Sequence, residues 1–227
     1  MGNAGLASRA RTTKGIPWLS KTASEEKAMF KTVLIAASLM GLAASLSAQT
    51  DTFKVNYFSS ANCGPYVPDG TVRITNVGNQ IGVAGNTSGD IGAVIYVFDP
   101  NQELAECCGC KVTPDGLLTL SINNDLTSNP LTGERLTTGD IKIVSASLSS
   151  TPSKVTPLTG IRAWATHIQN AGITETPFTD STLSAGELKM LESKCTAIFN
   201  NGSGFGICSC GAPEAGVSGG GKTAFFQ

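Results

Sequence analysis

The chain reads Ala93-Val94-Ile95-Tyr96-Val97-Phe98, a run in which every side chain is apolar or aromatic. No charge interrupts it, so the run predicts a strand that is buried on both faces. Asp99-Pro100-Asn101 follows directly and predicts a turn at the end of that strand. A strand of this kind lies in the interior of a sheet, with other strands beside it.

Other segments alternate between apolar and polar side chains, as half-buried strands do. These segments are residues 53–57, 71–75, 118–123 and 141–143, and residues 161–168 form a mixed strand. The side chains expected to face inward are Phe53, Val55, Tyr57, Val72, Ile74, Leu118, Leu120, Ile122, Ile141 and Ile143. Turn residues separate the segments. The sequence therefore predicts an all-β fold, an antiparallel β-sandwich of immunoglobulin-like or jelly-roll type.

One C-terminal helix is expected beside the sheet. Ser184 is a favourable N-cap, and Glu187 three residues later completes a capping box. Leu188, Leu191, Cys195 and Ile198 then follow at helical spacing. The helix is expected to end at residues 200–202 and to direct Cys195 toward the sheet.

Six of the seven cysteines form two groups, Cys107, Cys108 and Cys110 in the first and Cys195, Cys208 and Cys210 in the second. Because each group has three thiols, disulfides between the two groups are predicted. A local bond from Cys107 to Cys110 is also possible, and the sequence does not select one connectivity. Cys63 stands apart and is the candidate unpaired thiol. A four-thiolate zinc site and a redox-active CxxC site are the alternatives.

Residues 29–48 have the three parts of a secretory signal peptide, with Lys31 before an apolar core at 33–42 and small residues up to Ala48. The core is shorter than the roughly 20 residues that span a bilayer, so cleavage after Ala48 is expected and a membrane anchor is the alternative. Residues 1–28 are interpreted as a mis-assigned extension or a long basic start of the signal. Signal and cysteines together predict a secreted, periplasmic or cell-surface protein.

A single domain is expected over residues 49–211, a β-sandwich followed by the helix and a cysteine clasp. Residues 212–227 are rich in Gly, Ala and Ser and predict a flexible tail. From residue 49 onward, ten Lys or Arg stand against fifteen Asp or Glu, a net charge of about −5. This balance disfavours nucleic acid and, after signal cleavage, membrane as partners. Another extracellular protein or a glycan is expected instead.

Side chains for acid–base chemistry are few. The single histidine, His167, lies late in a strand and belongs to no catalytic motif. Glu103 and Glu106 come three residues apart, as a glycosidase pair would need, and Asp99, Asn101 and Glu103 offer oxygen atoms that calcium accepts. A solvated loop with an Asx turn explains the same residues. No catalytic residue and no cofactor is therefore predicted, and calcium at Asp99, Asn101 and Glu103 is the alternative to no metal.

The motif Glu106-Cys107-Cys108-Gly109-Cys110 resembles one found in a group of short exported bacterial proteins of uncharacterised function. Further parts of the resemblance are residues 98–105, 112–117, 126–133, 191–195 and 201–204. It implies export and a cysteine framework, and it implies no activity, ligand or catalytic residue.

The function predicted from these patterns is that of a secreted, disulfide-stapled structural or interaction module at the cell surface or outside the cell. A secreted hydrolase acting on glycans through Glu103, Glu106 or Asp99 is one alternative, and a sugar- or calcium-binding module is another. A concave groove lined by Tyr66, Tyr96 or Trp164 would favour these alternatives over the structural role.

Overall fold

The structure is a computed structural model that describes residues 52–60, 69–169, 172–211 and 225–227. The expected signal peptide and N-terminal extension lie outside the described residues, as do Cys63 and Tyr66. Within the described part of the chain, no helix has the length and apolar character needed to cross a membrane.

Strands are the commonest regular elements in the described part of the chain. They are β1 (Phe53–Ser59), β2 (Thr71–Asn76), β3 (Ile91–Phe98), β4 (Leu104–Val112), β5 (Leu117–Ser121), β6 (Thr138–Ala146), β7 (Ile161–Gln169), β8 (Gly172–Pro177) and β9 (Thr179–Asp180). A single π-helical turn spans Ile122–Leu126, and one α-helix, α1, spans Ala185–Asn201. The prediction of a β-rich chain with one C-terminal helix is confirmed.

These strands form one mixed sheet. Neighbouring strands follow the order β4, β3, β6, β1, β7, β2 and β5, with β8 paired to β7 and β9 paired to β1. The first and last strands of this order, β4 and β5, are joined by the four residues 113–116. The sheet must therefore curl until its ends approach each other, and its shape is nearly that of a barrel. The two-sheet sandwich is not confirmed.

Strands β8 and β9 fill a gap between β1 and β7. The register pairs β1 with β7 at one position, where Ser59 meets His167 in parallel. Beyond it, β8 pairs with β7 and β9 pairs with β1, and the Asn56 side chain donates to the Thr176 carbonyl at 3.3 Å. All six residues of β8 are exposed. A strand without a buried face carries no apolar period, so β8 is not predictable from the pattern of its side chains.

Two cores lie on opposite faces of β3. Ile95 and Val97 belong to the main core, which the curled sheet encloses. Val94 and Tyr96 belong to a second core under α1, which also contains Leu191. All eight residues of β3 are buried, so the prediction of a strand buried on both faces is confirmed.

The helix begins and ends where its sequence predicts. The Ser184 hydroxyl accepts a hydrogen bond from the Glu187 backbone N–H at 3.0 Å, which satisfies one of the free donors of the first turn. Gly202 follows the last turn with φ of 66°, a left-handed conformation that glycine adopts without strain. Cys195 is buried against the sheet, as predicted.

The faces of β1 and the end of β5 differ from the prediction. Tyr57 was expected inside but is 46% exposed, whereas Lys54 was expected outside but is 2% exposed. Lys54 tolerates burial because its ammonium pairs with the Asp180 carboxylate on β9. Phe58, rather than Tyr57, enters the main core. Ile122 is buried as predicted, but it begins the π-helical turn instead of ending a strand.

Candidate functional site

The first group of cysteines lies on β4. This strand pairs antiparallel with β3, and its side chains alternate between the two cores. Cys107 joins the core under α1, whereas Cys108 and Cys110 point into the main core. Successive positions of one strand therefore present sulfur atoms to both faces of the sheet.

Each cysteine of the first group is bonded to one of the second. The bonds are Cys107–Cys195, Cys108–Cys208 and Cys110–Cys210, with Cα–Cα distances of 5.9, 5.3 and 5.4 Å. The prediction of disulfide bonds is confirmed. The first bond joins α1 to the outer face of β4. The other two join the segment that follows the helix, residues 208–210, to the inner face of β4.

One group of potential metal ligands occurs among the described residues. The sulfur atoms of Cys108, Cys110 and Cys210 lie within 4.8 Å of one another. All three are bonded in disulfides, and zinc is held by thiolates, which a disulfide does not provide. In this oxidised state the zinc alternative therefore has no ligands at this group.

The larger of two described cavities lies between α1 and the start of β4, with a volume of about 560 Å³. Its apolar wall includes Leu104 and Ile198, and Glu103 and Lys194 bring opposite charges to it. The other lining residues are Leu131, Thr132, Ala197 and Asn201. This volume is in the range of small-molecule sites.

The smaller cavity, of about 250 Å³, adjoins the first and shares Lys194 with it. Its lining includes the ring of Phe98, and the ammonium groups of Lys142 and Lys194 lie 5.0 and 5.5 Å from the centre of that ring. Lys142 is also paired with Glu187 at 2.6 Å, and no described carboxylate forms an ion pair with Lys194. Lys194 thus lines both cavities, and it is in no ion pair among the described residues.

The carboxylates proposed for calcium or catalysis are separated. One oxygen of Asp99 accepts a hydrogen bond from the Glu103 backbone N–H at 2.8 Å, across the turn in which the Gln102 N–H donates to the Asp99 carbonyl at 3.0 Å. Asp99 lines the smaller cavity, Glu103 lines the larger one, and Asn101 lines neither. Glu106 is fully buried within β4, where it accepts from the Asn129 backbone N–H at 2.8 Å. Neither described cavity contains both Glu103 and Glu106.

His167 is a buried part of the junction between β1, β7 and β8. It is 1% exposed, its Nε2 lies 2.7 Å from the Thr176 hydroxyl, and its ring centre lies 4.0 Å from that of Tyr57. Burial lowers the pKa of the His167 imidazole, which favours the neutral ring. The residue lines neither described cavity.

The aromatic residues expected at a groove are not gathered there. Tyr96 is fully buried under α1, and burial, with a smaller effect of the Glu192 charge, raises the pKa of its phenol. Trp164 lies on β7 opposite Arg73 and Pro177 and lines neither described cavity. Tyr66 is outside the described residues.

Comparisons of the chain with models of protein families, with curated proteins and with solved structures found no match. The resemblance to short exported bacterial proteins therefore stays a prediction.

Proposed function

We propose that the chain is an exported, disulfide-stapled structural or interaction module that acts at the cell surface or outside the cell. Another extracellular protein or a glycan is its proposed partner. The observation that supports this proposal is the set of three disulfides between β4 and the chain from Cys195 to Cys210. Disulfides of this kind persist in oxidising compartments and are rare in the cytosol.

The distribution of polar groups supports a binding role over a catalytic one. Acid–base catalysis needs a proton donor or acceptor aimed at a space that substrate can enter. Glu106 and His167 are buried away from both described cavities, and Asp99 is held in a turn. Glu103 and Lys194 remain at the larger cavity, where opposite charges on an apolar wall suit binding of a polar ligand.

Export and oxidation can be tested together. The full chain is produced in a bacterium, and the exported fraction is analysed by N-terminal sequencing and by mass spectrometry of peptides prepared without reductant. We expect an N-terminus near Gln49 and three bridged peptide pairs. A matched variant that lacks residues 29–48 should stay inside the cell with reduced thiols. An exported fraction in which Cys107 and Cys195 are free, or a full chain retained in the cytosol, would contradict the proposal.

The hydrolase alternative has a separate test. The exported protein and its Glu103→Gln variant are incubated with a panel of oligosaccharides, and release of reducing ends is measured. We expect no release by either protein. Release by the parent that is lost in the folded variant would replace the module role with a hydrolase role.

A further inference from the structure

The outer edge of β4 is covered by three separate pieces of chain. The Leu131 backbone N–H donates to the Ala105 carbonyl at 2.9 Å, and the Cys107 N–H donates to the Gly206 carbonyl at 2.8 Å. The last three residues of the chain cover the rest of the edge. An uncovered strand edge presents free backbone donors and acceptors, which pair readily with another extended segment.

The C-terminal residues Phe225–Gln227 pair with this edge as a short parallel strand. The Gly109 N–H donates to the Phe225 carbonyl at 3.0 Å, and the Gly109 carbonyl accepts from the Gln227 N–H at 3.0 Å. The Lys111 N–H donates to the Gln227 carbonyl at 3.2 Å. Three backbone hydrogen bonds therefore hold three residues, a density typical of a β-ladder.

Two glycines form a slot for the Phe226 ring. A Cβ atom added to Gly92 on β3 would lie 2.3 Å from Phe226 Cε1, and one added to Gly109 on β4 would lie 2.7 Å from Phe226 Cδ1. Any side chain at either position would occupy the place of the ring. Phe225 packs beside the slot, with its ring 5.7 Å from that of Phe199 on α1. The edge thus offers backbone pairing together with a pocket that selects an aromatic side chain.

We propose that the β4 edge at Gly109–Lys111, with the Gly92–Gly109 slot, is a strand-addition site that binds an extended Phe-Phe-Gln C-terminus. The chain's own C-terminus occupies it in the structure, and the C-terminus of a second copy is its partner in association. This inference deepens the proposed interaction role and rests on it, because it names a partner for the module.

The chain itself supplies the argument for a second copy. Residues 212–224 join Gly211 to Phe225, and this segment contains four glycines and no cysteine, so no disulfide ties the C-terminus to the domain that it contacts. Thirteen residues span up to about 40 Å when extended, enough to reach a neighbouring molecule. A short linker gives the attached segment an effective concentration of about 1 mM, so docking in cis implies a dissociation constant in trans below about 1 mM. Exchange between copies is therefore expected as the protein concentration approaches that range.

Complementation between two variants of the chain tests the second copy. The acceptor variant lacks residues 225–227 and has an open site. The donor variant carries Gly109→Ala, whose methyl group blocks its own slot and leaves its C-terminus free. Each should be monomeric alone, and the mixture should form a one-to-one complex in light scattering at high protein concentration. A donor that also carries Phe226→Ala is the matched control and should form no complex. A mixture that stays monomeric overturns the second-copy partner.

A peptide titration tests the site itself and guards against poor folding of a variant. A labelled peptide of residues 222–227 is titrated into the acceptor variant after peptide mapping has verified its three disulfides. We expect saturable binding below about 1 mM, weakened about tenfold or more when the peptide carries Phe226→Ala. The same peptide should bind the parent chain far more weakly, because the site is occupied. No binding to the acceptor at millimolar peptide overturns the site, while the export and disulfide tests above would stand unchanged.

Discussion

Removing one disulfide at a time should give unequal losses of stability, although two of the three bonds enclose the same number of residues. The perturbation replaces both partners of a bond by alanine, so that no free thiol remains. Taken alone, the Cys107–Cys195 bond spans 88 residues, for which the chain-entropy model gives about 4–5 kcal/mol. The three bonds are not independent, however, because they join the same two short segments, residues 107–110 and residues 195–210.

The loop that each bond closes depends on the others. With Cys108–Cys208 intact, breaking Cys107–Cys195 frees a loop of only about 15 residues, worth about 3 kcal/mol. Breaking Cys110–Cys210 under the same condition frees a loop of about 6 residues, worth about 2 kcal/mol. Full burial of the first pair adds a cavity penalty to its loss, because the alanine side chains leave space where the sulfur atoms were.

Denaturant unfolding without reductant measures the difference. The two paired variants, Cys107→Ala with Cys195→Ala and Cys110→Ala with Cys210→Ala, are compared with the parent under identical conditions. We expect the first pair to lose more stability than the second, and the second to lose less than the 4–5 kcal/mol of an isolated bond. Equal losses, or a larger loss for Cys110 and Cys210, would refute the reasoning from nested loops.

Three further perturbations test individual contacts. Burial lowers the pKa of His167, so as the pH falls this histidine takes up a proton in the unfolded chain before it does so in the folded protein. The free energy of unfolding should therefore fall as the pH drops below about 6.5, and His167→Gln should flatten the stability profile in that window. An unchanged profile would contradict the lowered pKa of His167. Asn76→Ala should lower the free energy of unfolding by about 2–3 kcal/mol, because the fully buried Asn76 amide donates to the carbonyls of Gly89 and Val112. A loss below about 0.5 kcal/mol in denaturant titration would show that these carbonyls find other partners. Ser184→Ala should cost about 1 kcal/mol in the same titration, whereas Ser184→Asp should retain most of the stability because aspartate also caps the helix.

Local pattern was sufficient for the elements whose burial is regular. The run in β3 and the stripe of α1 both reflect one-dimensional rules, namely continuous apolarity and helical spacing with a cap. β4 was not predicted as a strand because Glu106, three cysteines and Gly109 give no apolar alternation. Its burial depends on partners distant in sequence. β8 was not predicted either, for the opposite reason. All six of its residues are exposed, so it is a strand because its backbone pairs with β7 and not because it buries a face.

The candidate sites divide in the same way. The number and grouping of the cysteines predict disulfides between two groups. Which cysteine pairs with which depends on how residues 207–210 align with β4, and the sequence alone does not reveal that alignment. The aromatic slot left a weak signal. Glycines within strands often mark a close approach by another segment, as Gly92 and Gly109 do here, and two phenylalanines end a glycine-rich tail. The connection between the two signals needs the fold.

The three segments that cover β4 differ in how firmly the rest of the chain holds them. Gly206 and Ile207 lie between Cys195 and Cys208, and both of these cysteines are bonded to β4, so this cover cannot leave without reduction. Leu131 lies in the connection between β5 and β6, where sheet pairing at both ends restrains it. Phe225–Gln227 lie beyond the last cysteine of the sequence, and noncovalent contacts hold them in place: backbone hydrogen bonds, two aromatic side chains and the Gln227 amide, which donates to the Cys208 carbonyl at 3.4 Å. Disulfides thus hold one of the three segments and sheet pairing holds another, whereas the third is left to an equilibrium that a competing C-terminus can enter.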